Sequence, residues 1–248
     1  MTFFKKKKKN DLESGVVPLH VAIIPDGNRR WARKRNLPVK EGHRRGADCF
    51  KKTVKNCGDM GIKYVTFYAF STENWKREKS EVDTLMNMLI GFLKNFEQEL
   101  GSDRDKIRIK VIGNRKGLSA ELIEEIERVE KATEKNSDIV VNIAINYGSR
   151  DELTEGIKAL AEKVSEGELG VEDIDEDVVS GALFTKDTPD PDLLIRTSGE
   201  LRISNFLLWQ LAYTEFYFAD VLWPDFDKRE LEKAVEAFRN RKRRFGAS

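Results

Sequence analysis

The chain has little of what would tie it to redox, metal-cluster or membrane chemistry. Of its 248 residues only Cys49 and Cys57 are cysteines. Both fall in one expected helix, about 12 Å apart along its axis, which is too far for a disulfide. A reduced, cytosolic protein is the reading that follows. Only two histidines occur, His20 and His43, and neither has metal-ligand spacing. His20 reads as structural; His43, after Gly42 at a helix start, is placed to reach a phosphate. No apolar stretch is long and uninterrupted enough to span a bilayer. Lysines follow Phe3 and Phe4 where a signal peptide needs an apolar core. The 44 basic and 43 acidic residues nearly cancel, so nothing in the balance calls for nucleic acid. There is no phosphate-binding loop of the nucleotide-hydrolase type, no dinucleotide fingerprint and no serine elbow. No internal repeat is visible.

What is present is an alternation of strand and helix patterns. A chain of this length buries one good core. Residues 1–17 read as a disordered tail holding the basic run Lys5–Lys9, and a second basic cluster, Arg239–Arg244, crowds the far end. Strands are expected at Val21–Ile24, Tyr64–Ala69, Ile107–Ile112, Ile139–Asn146, Leu193–Arg196 and Thr214–Phe218. Helices are expected at Gly42–Met60, Glu81–Leu100 (capped by Ser80), Ser119–Lys135, Asp151–Ser165 and from Asp227 to about Arg243. The acidic run Glu172–Asp177 reads as a solvated helix start. Such alternation implies an α/β domain over 18–248, with a mostly parallel sheet flanked by helices. Ligands in such sheets sit at the carboxyl ends of the strands, and Asp26, Ser71, Tyr147 and Arg196 all follow or end strands.

Four constellations carry chemistry. The first is Asp26-Gly27-Asn28-Arg29-Arg30-Trp31, where a strand gives way to a helix. An acid suited to Mg²⁺, a glycine that admits close approach and guanidinium forks suited to phosphate stand together there. The second is Ser71-Thr72-Glu73-Asn74-Trp75-Lys76-Arg77, a loop dense in hydrogen-bonding groups with Glu81 beyond it. The third, Arg196-Thr197-Ser198-Gly199-Glu200-Leu201-Arg202-Ile203-Ser204, sets two arginines and two serines around a glycine and reads as a second phosphate site. The fourth holds Glu215 inside an aromatic run, where an acid is costly unless paired with an arginine or bound to a metal.

Together these motifs resemble the cis-prenyltransferase family, of which undecaprenyl diphosphate synthase is typical. The resemblance runs from Pro18 to Gly246 and includes His20-Val-Ala-Ile-Ile-Pro-Asp-Gly-Asn, Ala69-Phe-Ser-Thr-Glu-Asn-Trp, Ile195-Arg-Thr-Ser-Gly-Glu, Trp223-Pro-Asp-Phe and Arg244-Phe-Gly. It implies condensation of an allylic diphosphate, farnesyl or geranylgeranyl, with successive isopentenyl diphosphates, each adding a cis double bond. Asp26 would then hold Mg²⁺ at the allylic diphosphate, with Glu215 as the second metal-associated acid. Gly27, Asn28, Arg29, Arg30 and Trp31 would form the allylic cradle, with His43 nearby. Ser71, Thr72, Glu73, Asn74, Trp75 and Arg77 would lie between the substrates, and Arg196, Arg202, Ile203 and Ser204 would bind isopentenyl diphosphate. Asn74 is a poor base, so a diphosphate oxygen is the expected proton acceptor. Arg244 and Gly246 would complete the partner subunit's site in a homodimer. The growing chain needs an apolar tunnel, for which Ala69, Leu85, Met88, Leu89, Phe92, Ile139 and Ile145 are suited. A non-catalytic partner subunit is the competing reading, but such proteins lose the first motif, which is intact here. Beside Phe3 and Phe4, the lysine run is placed to tether the enzyme to an anionic membrane surface. Arg29 stands where many bacterial members have glycine, which leaves primer and product length open.

Overall fold

The computed structural model describes residues 17–241; the lysine run, Arg244 and Gly246 lie outside them. Six strands form one sheet in the order β3-β4-β2-β1-β5-β6, and every pairing is parallel. They are β1 His20–Ile24, β2 Tyr64–Ser71, β3 Ile107–Ile112, β4 Ile139–Tyr147, β5 Leu193–Arg196 and β6 Glu215–Phe218. The helices are α1 Asn28–Lys34, α2 Val39–Met60, α3 Lys79–Lys94, α4 Phe96–Leu100, α5 Ala120–Thr133, α6 Ser149–Ser165, α7 Glu176–Gly181 and α8 Lys228–Arg239.

An all-parallel sheet is covered on both faces, so its inner strands are mostly apolar. All residues of β1 and β5 are buried accordingly. Side chains alternate between the faces. Val21 and Ile23 join the larger core with α2, α3, α5 and α8, while Ala22 and Ile24 join a smaller one with Tyr68, Leu194 and Phe206. Polar residues stitch three central strands near their amino-terminal ends. His20 Nε2 lies 2.7 Å from Thr66 Oγ1, which also accepts from Asn142 Nδ2 at 3.0 Å.

Several boundaries differ from expectation for local reasons. Val17, placed in the tail, packs against the core because it is apolar. α2 begins at Val39, so His43 lies one turn inside it. The expected helix Glu81–Leu100 is two, α3 and α4, broken at Asn95, whose side-chain amide donates to its own helix at Gly91 O (2.8 Å). Ser80 does not cap α3, which starts at Lys79 after an uncapped Glu78. Ser119 and Asp227 do cap α5 and α8, and Asp175 caps α7 in the acidic run.

The site is positioned by the strand order. β1 is flanked by β2 on one side and β5 on the other, so the chain winds outward in both directions from it. The crevice at such a switch point, beyond the carboxyl ends, is where open α/β sheets bind ligands. Asp26, Ser71 and Arg196 meet there.

Candidate active site

Asp26 follows β1 and is gripped by its own backbone. Its N–H donates to Thr197 Oγ1 (2.8 Å), and its carbonyl accepts from Thr197 Oγ1 (2.7 Å), Ser198 Oγ (2.7 Å) and Trp223 N–H (2.9 Å). Gly27 then turns the chain into α1 with φ 108°, and a Cβ there would stand 2.3 Å from Ser198 Oγ, so only glycine fits. The Asp26 carboxylate receives Arg196 Nη2 at 2.9 Å on one oxygen and Arg30 Nη2 at 2.9 Å on the other. Partial burial pushes its pKa up, but the hydrogen bonds and charges of Arg196 and Arg30 outweigh this and hold it below the usual carboxylate range. Asp26 is therefore ionised at neutral pH.

Arg196 also donates from Nη1 to the Arg202 carbonyl and to Ser204 Oγ (2.8 Å for the latter). Arg30 reaches Glu200 Oε1 at 2.6 Å, and Arg202 pairs with the other Glu200 oxygen. One carboxylate thus sits between arginines of the first and third motifs, in the place a phosphate would suit.

The second motif forms a 3₁₀ turn over Thr72–Lys76, closed by a capping box between Ser71 and Asn74. Asn74 Oδ1 accepts the Ser71 N–H at 3.1 Å, which leaves its NH₂ end for a ligand. Glu81, in the first turn of α3, gathers Arg77 (3.1 Å), His43 (3.4 Å) and Arg29 (3.5 Å). Burial lowers the pKa of His43, with Glu81 opposing, so a neutral imidazole faces the site at pH 7.

These groups ring the mouth of a cavity of about 530 Å³. Five guanidiniums line it, from Arg29, Arg30, Arg33, Arg77 and Arg196, with Asp26 as the sole carboxylate among the described lining residues. The rest of the lining is largely apolar, including Phe50 of α2, Ala69 of β2, Leu85, Met88, Leu89 and Phe92 of α3, and Ile143 of β4. A cationic rim over an apolar pocket fits an amphiphile with an anionic head. The family model Prenyltransf, which describes undecaprenyl diphosphate synthase, matches residues 24–246.

The chain belongs to the cis-prenyltransferase family. The isoprenyl transferase of Bacillus subtilis (strain 168) is 48% identical over 238 residues, covering 96% of this chain and 91% of that protein. That of Clostridium perfringens is 46% identical, covering 99% and 98%. Among solved structures, lavandulyl diphosphate synthase from Lavandula x intermedia in complex with dimethylallyl diphosphate superposes with a TM-score of 0.89 at 40% identity, covering 93% of this chain and 98% of that one. A probable undecaprenyl diphosphate synthase from Campylobacter jejuni superposes at 0.76 with 33% identity, covering 94% and 100%.

Among the cis-prenyltransferase residues expected from sequence, Asp26, Gly27, Asn28, Arg29, Arg30, His43, Ser71, Asn74, Arg77, Arg196 and Ser204 come together around the cavity. Others are not among its lining residues. Trp31 is buried and donates to Asp225 (2.7 Å), and Trp75 donates to Asn146 (2.7 Å). Glu73 accepts from Thr72 and Asn205, Arg202 faces Glu200, and Ile203 packs against the smaller core. Ser71, Asn74 and Arg77 have structural work as well, in the capping box and the Glu81 pair.

Glu215 stands apart from Asp26 within the chain. It begins β6 in register with Leu193 and hence Val21, at the amino-terminal rim, whereas Asp26 lies beyond the carboxyl end. Arg241 pairs with it at 2.6 Å. Within one chain the two acids cannot share an ion. Two of the expected tunnel residues are also displaced: Ile139 and Ile145 are fully packed in the core, and Ile143 reaches the cavity instead. Sequence reasoning missed Arg33, although its place one turn after Arg29 and Arg30 put it on the same helix face. It also missed the grip of Thr197 and Ser198 on Asp26, for which no sequence signal existed beyond their presence in the third motif.

Proposed function

We propose that this cis-prenyltransferase condenses an allylic diphosphate, farnesyl or geranylgeranyl, with successive isopentenyl diphosphates to make a long-chain polyprenyl diphosphate, undecaprenyl diphosphate in a bacterial setting. The observation that carries this reading is the cavity, which is lined by five arginines beside Asp26 and by a set of apolar side chains. Its volume of about 530 Å³ is that of a ligand pocket. The dimethylallyl diphosphate bound to the lavandulyl enzyme is an allylic diphosphate of the class proposed here.

In this reading the allylic diphosphate lies on the α1 start, against Asn28, Arg29, Arg30 and His43, with its chain in the apolar pocket. Isopentenyl diphosphate lies against Arg196, Arg202 and Ser204. The allylic C–O bond breaks and its electron pair leaves with the diphosphate. The isopentenyl double bond then joins the allylic carbon, and a proton is lost to a diphosphate oxygen. Guanidiniums preset around the leaving group stabilise the charge that develops on it. Asn74, with its carbonyl oxygen committed to Ser71, acts as a donor that orients substrate.

The residues fit Mg²⁺, which takes one or two carboxylates and completes its shell with phosphate oxygens and water. Asp26 is ionised, rim-facing and retains free lone pairs beside its two arginines. When bound there, the ion would add to the charge neutralisation of the leaving diphosphate. Among the described residues no cluster of three or more acidic, histidine or cysteine side chains offers a self-sufficient metal site, which suits an ion held jointly with substrate.

Incubation with farnesyl diphosphate, labelled isopentenyl diphosphate and Mg²⁺ tests the reading, with chromatography of dephosphorylated products against isoprenoid standards. A ladder ending in a long polyprenol supports it. A folded protein that makes no product sinks it, and a single short product sinks the chain-length part alone.

A further inference from the structure

The loop between β5 and β6 contains four of the six non-glycine residues with left-handed backbone among the described residues. These are Ser198, Ser204, Asn205 and Leu207, at φ 76°, 51°, 63° and 49°. Such conformations persist only where the surroundings impose them. At Asn205 the imposing contacts are plain. Its Oδ1 accepts the Arg150 N–H at 3.0 Å, its carbonyl accepts the Ser149 N–H at 2.8 Å, and its Nδ2 donates to Glu73 Oε1 at 2.9 Å. The Leu208 N–H closes the loop on Ser149 Oγ at 2.8 Å. One end of the amide therefore meets the start of α6, and the other meets the turn after β2. The approach is close, since a Cβ on Gly148 would stand 2.8 Å from Asn205 Nδ2 and 2.6 Å from Thr72 Oγ1.

Asn205 does not line the cavity, but its neighbour Ser204 does. Ser204 Oγ accepts Arg196 at 2.8 Å and its carbonyl accepts Tyr68 Oη at 3.3 Å. With both residues left-handed, the direction of Ser204 follows from how Asn205 is fastened. We infer that Asn205 is a positioning residue for the second diphosphate pocket: it fixes Ser204, and with it Arg196, by clasping the β4–α6 junction and Glu73 at once. The inference rests on the reading that Arg196, Arg202 and Ser204 take isopentenyl diphosphate.

Steady-state kinetics of three variants separate this role from plain stabilisation. Asn205→Gly keeps the left-handed backbone and loses both side-chain bonds. Asn205→Asp keeps the acceptor for Arg150 and sets a carboxylate against Glu73. Asn205→Asp with Glu73→Gln exchanges amide and carboxylate and rebuilds the bond with reversed polarity. KM for isopentenyl diphosphate should rise about tenfold in each single Asn205 variant, as for loss of a charge-assisted hydrogen bond. KM for the allylic diphosphate should change less than about twofold, and the double variant should recover most of the loss seen in Asn205→Asp. An unchanged KM for isopentenyl diphosphate in an active variant overturns the inference. So does an equal rise in both KM values, or a double variant no better than Asn205→Asp. Wild-type protein that performs no condensation in the same assay overturns the functional reading instead, so the two failures are distinct.

Discussion

Asp26 shows how much of the site rests on single groups. Both its oxygens hold guanidiniums, and Arg196 is buried, so Asp26→Ala would remove the charge and also strip a buried cation of a partner. Asp26→Asn separates these effects by keeping acceptors for hydrogen bonds. Turnover of Asp26→Asn should fall at least about a hundredfold with the fold intact by circular dichroism, since a charge aimed at the reacting centre is lost. Near-normal turnover would remove Asp26 from its role as ligand. Thr197 acts one layer behind. It is fully buried, and its hydroxyl serves both the N–H and the carbonyl of Asp26. Thr197→Val, equal in shape, removes one bond from each group, while the N–H keeps Ile24 O (3.0 Å) and the carbonyl keeps Ser198 and Trp223; it should cost about 0.5–1.5 kcal/mol in urea unfolding, with Thr197→Ser restoring most of it. Equal stability of the two variants would show that the hydroxyl does not hold Asp26. His20 sits at the other end of β1, with its ring nitrogens against Pro189 O (2.6 Å) and Thr66 Oγ1 (2.7 Å). Burial pushes its pKa down to about 4, so the native state keeps it neutral while the unfolded chain takes a proton below about pH 6.5. Its contribution to stability is complete above that pH and is lost as pH falls toward about 4, an effect of about 3 kcal/mol. Urea titrations at pH 7 and pH 4.5 should show a smaller acid loss for His20→Gln than for wild type; matching losses would contradict this.

At the scale of elements, the bulge in β2 is the feature that shapes the pocket. Tyr68 pairs with Ala144 and Phe70 with Ile145, which leaves Ala69 unpaired between them. Ala69 is exposed although its strand is central in the sheet, because the bulge turns it to the cavity wall. Ala69→Leu should crowd the space available to the growing chain and shift the products toward shorter polyprenols at little cost in the first condensation. An unaltered product ladder would show that the chain does not pass this wall. The bulge was not legible in the sequence, where Ala69 reads as one more apolar strand residue. What was legible followed sharp transitions. Leu193–Arg196 and Ile107–Ile112 have apolar runs with abrupt ends, and both strands have the expected limits. Asn95 hid the break between α3 and α4 because the apolar period continues across it to Phe96. The separation of Glu215 from Asp26 within the chain was legible as well. The rule that puts Asp26 and Arg196 at the carboxyl rim also sets an acid that begins its strand at the opposite rim. The helical grip on the mouth was half visible: Glu81 was noticed beyond the second motif, but its hold on Arg29, His43 and Arg77 depends on how α1, α2 and α3 converge.

At the scale of the molecule, β6 ends the sheet with an edge that no strand of the described residues pairs, and open edges and apolar patches are features that oligomerisation covers. The segment leading into β6 carries Leu201 and Tyr213, each 76% exposed, and Leu208, 40% exposed. These features support the proposal of a homodimer, and we propose further that Arg244 and Gly246 of one subunit complete the site of the other. The proposal has a quantitative consequence. An Asp26→Ala chain lacks its own site but can still lend its terminal motif, and an Arg244→Ala chain is the converse. In a two-fold dimer of one of each, one site lacks both groups and the other is whole. Random exchange of equal amounts makes half of the dimers mixed, so the mixture should regain about a quarter of wild-type activity although each variant alone is nearly inactive. Native mass spectrometry reports the mixed dimer independently of turnover. Mixed dimers with no regained activity would place the terminal motif in its own subunit's site or outside the chemistry altogether, and an enzyme that stays monomeric while fully active would remove the shared site.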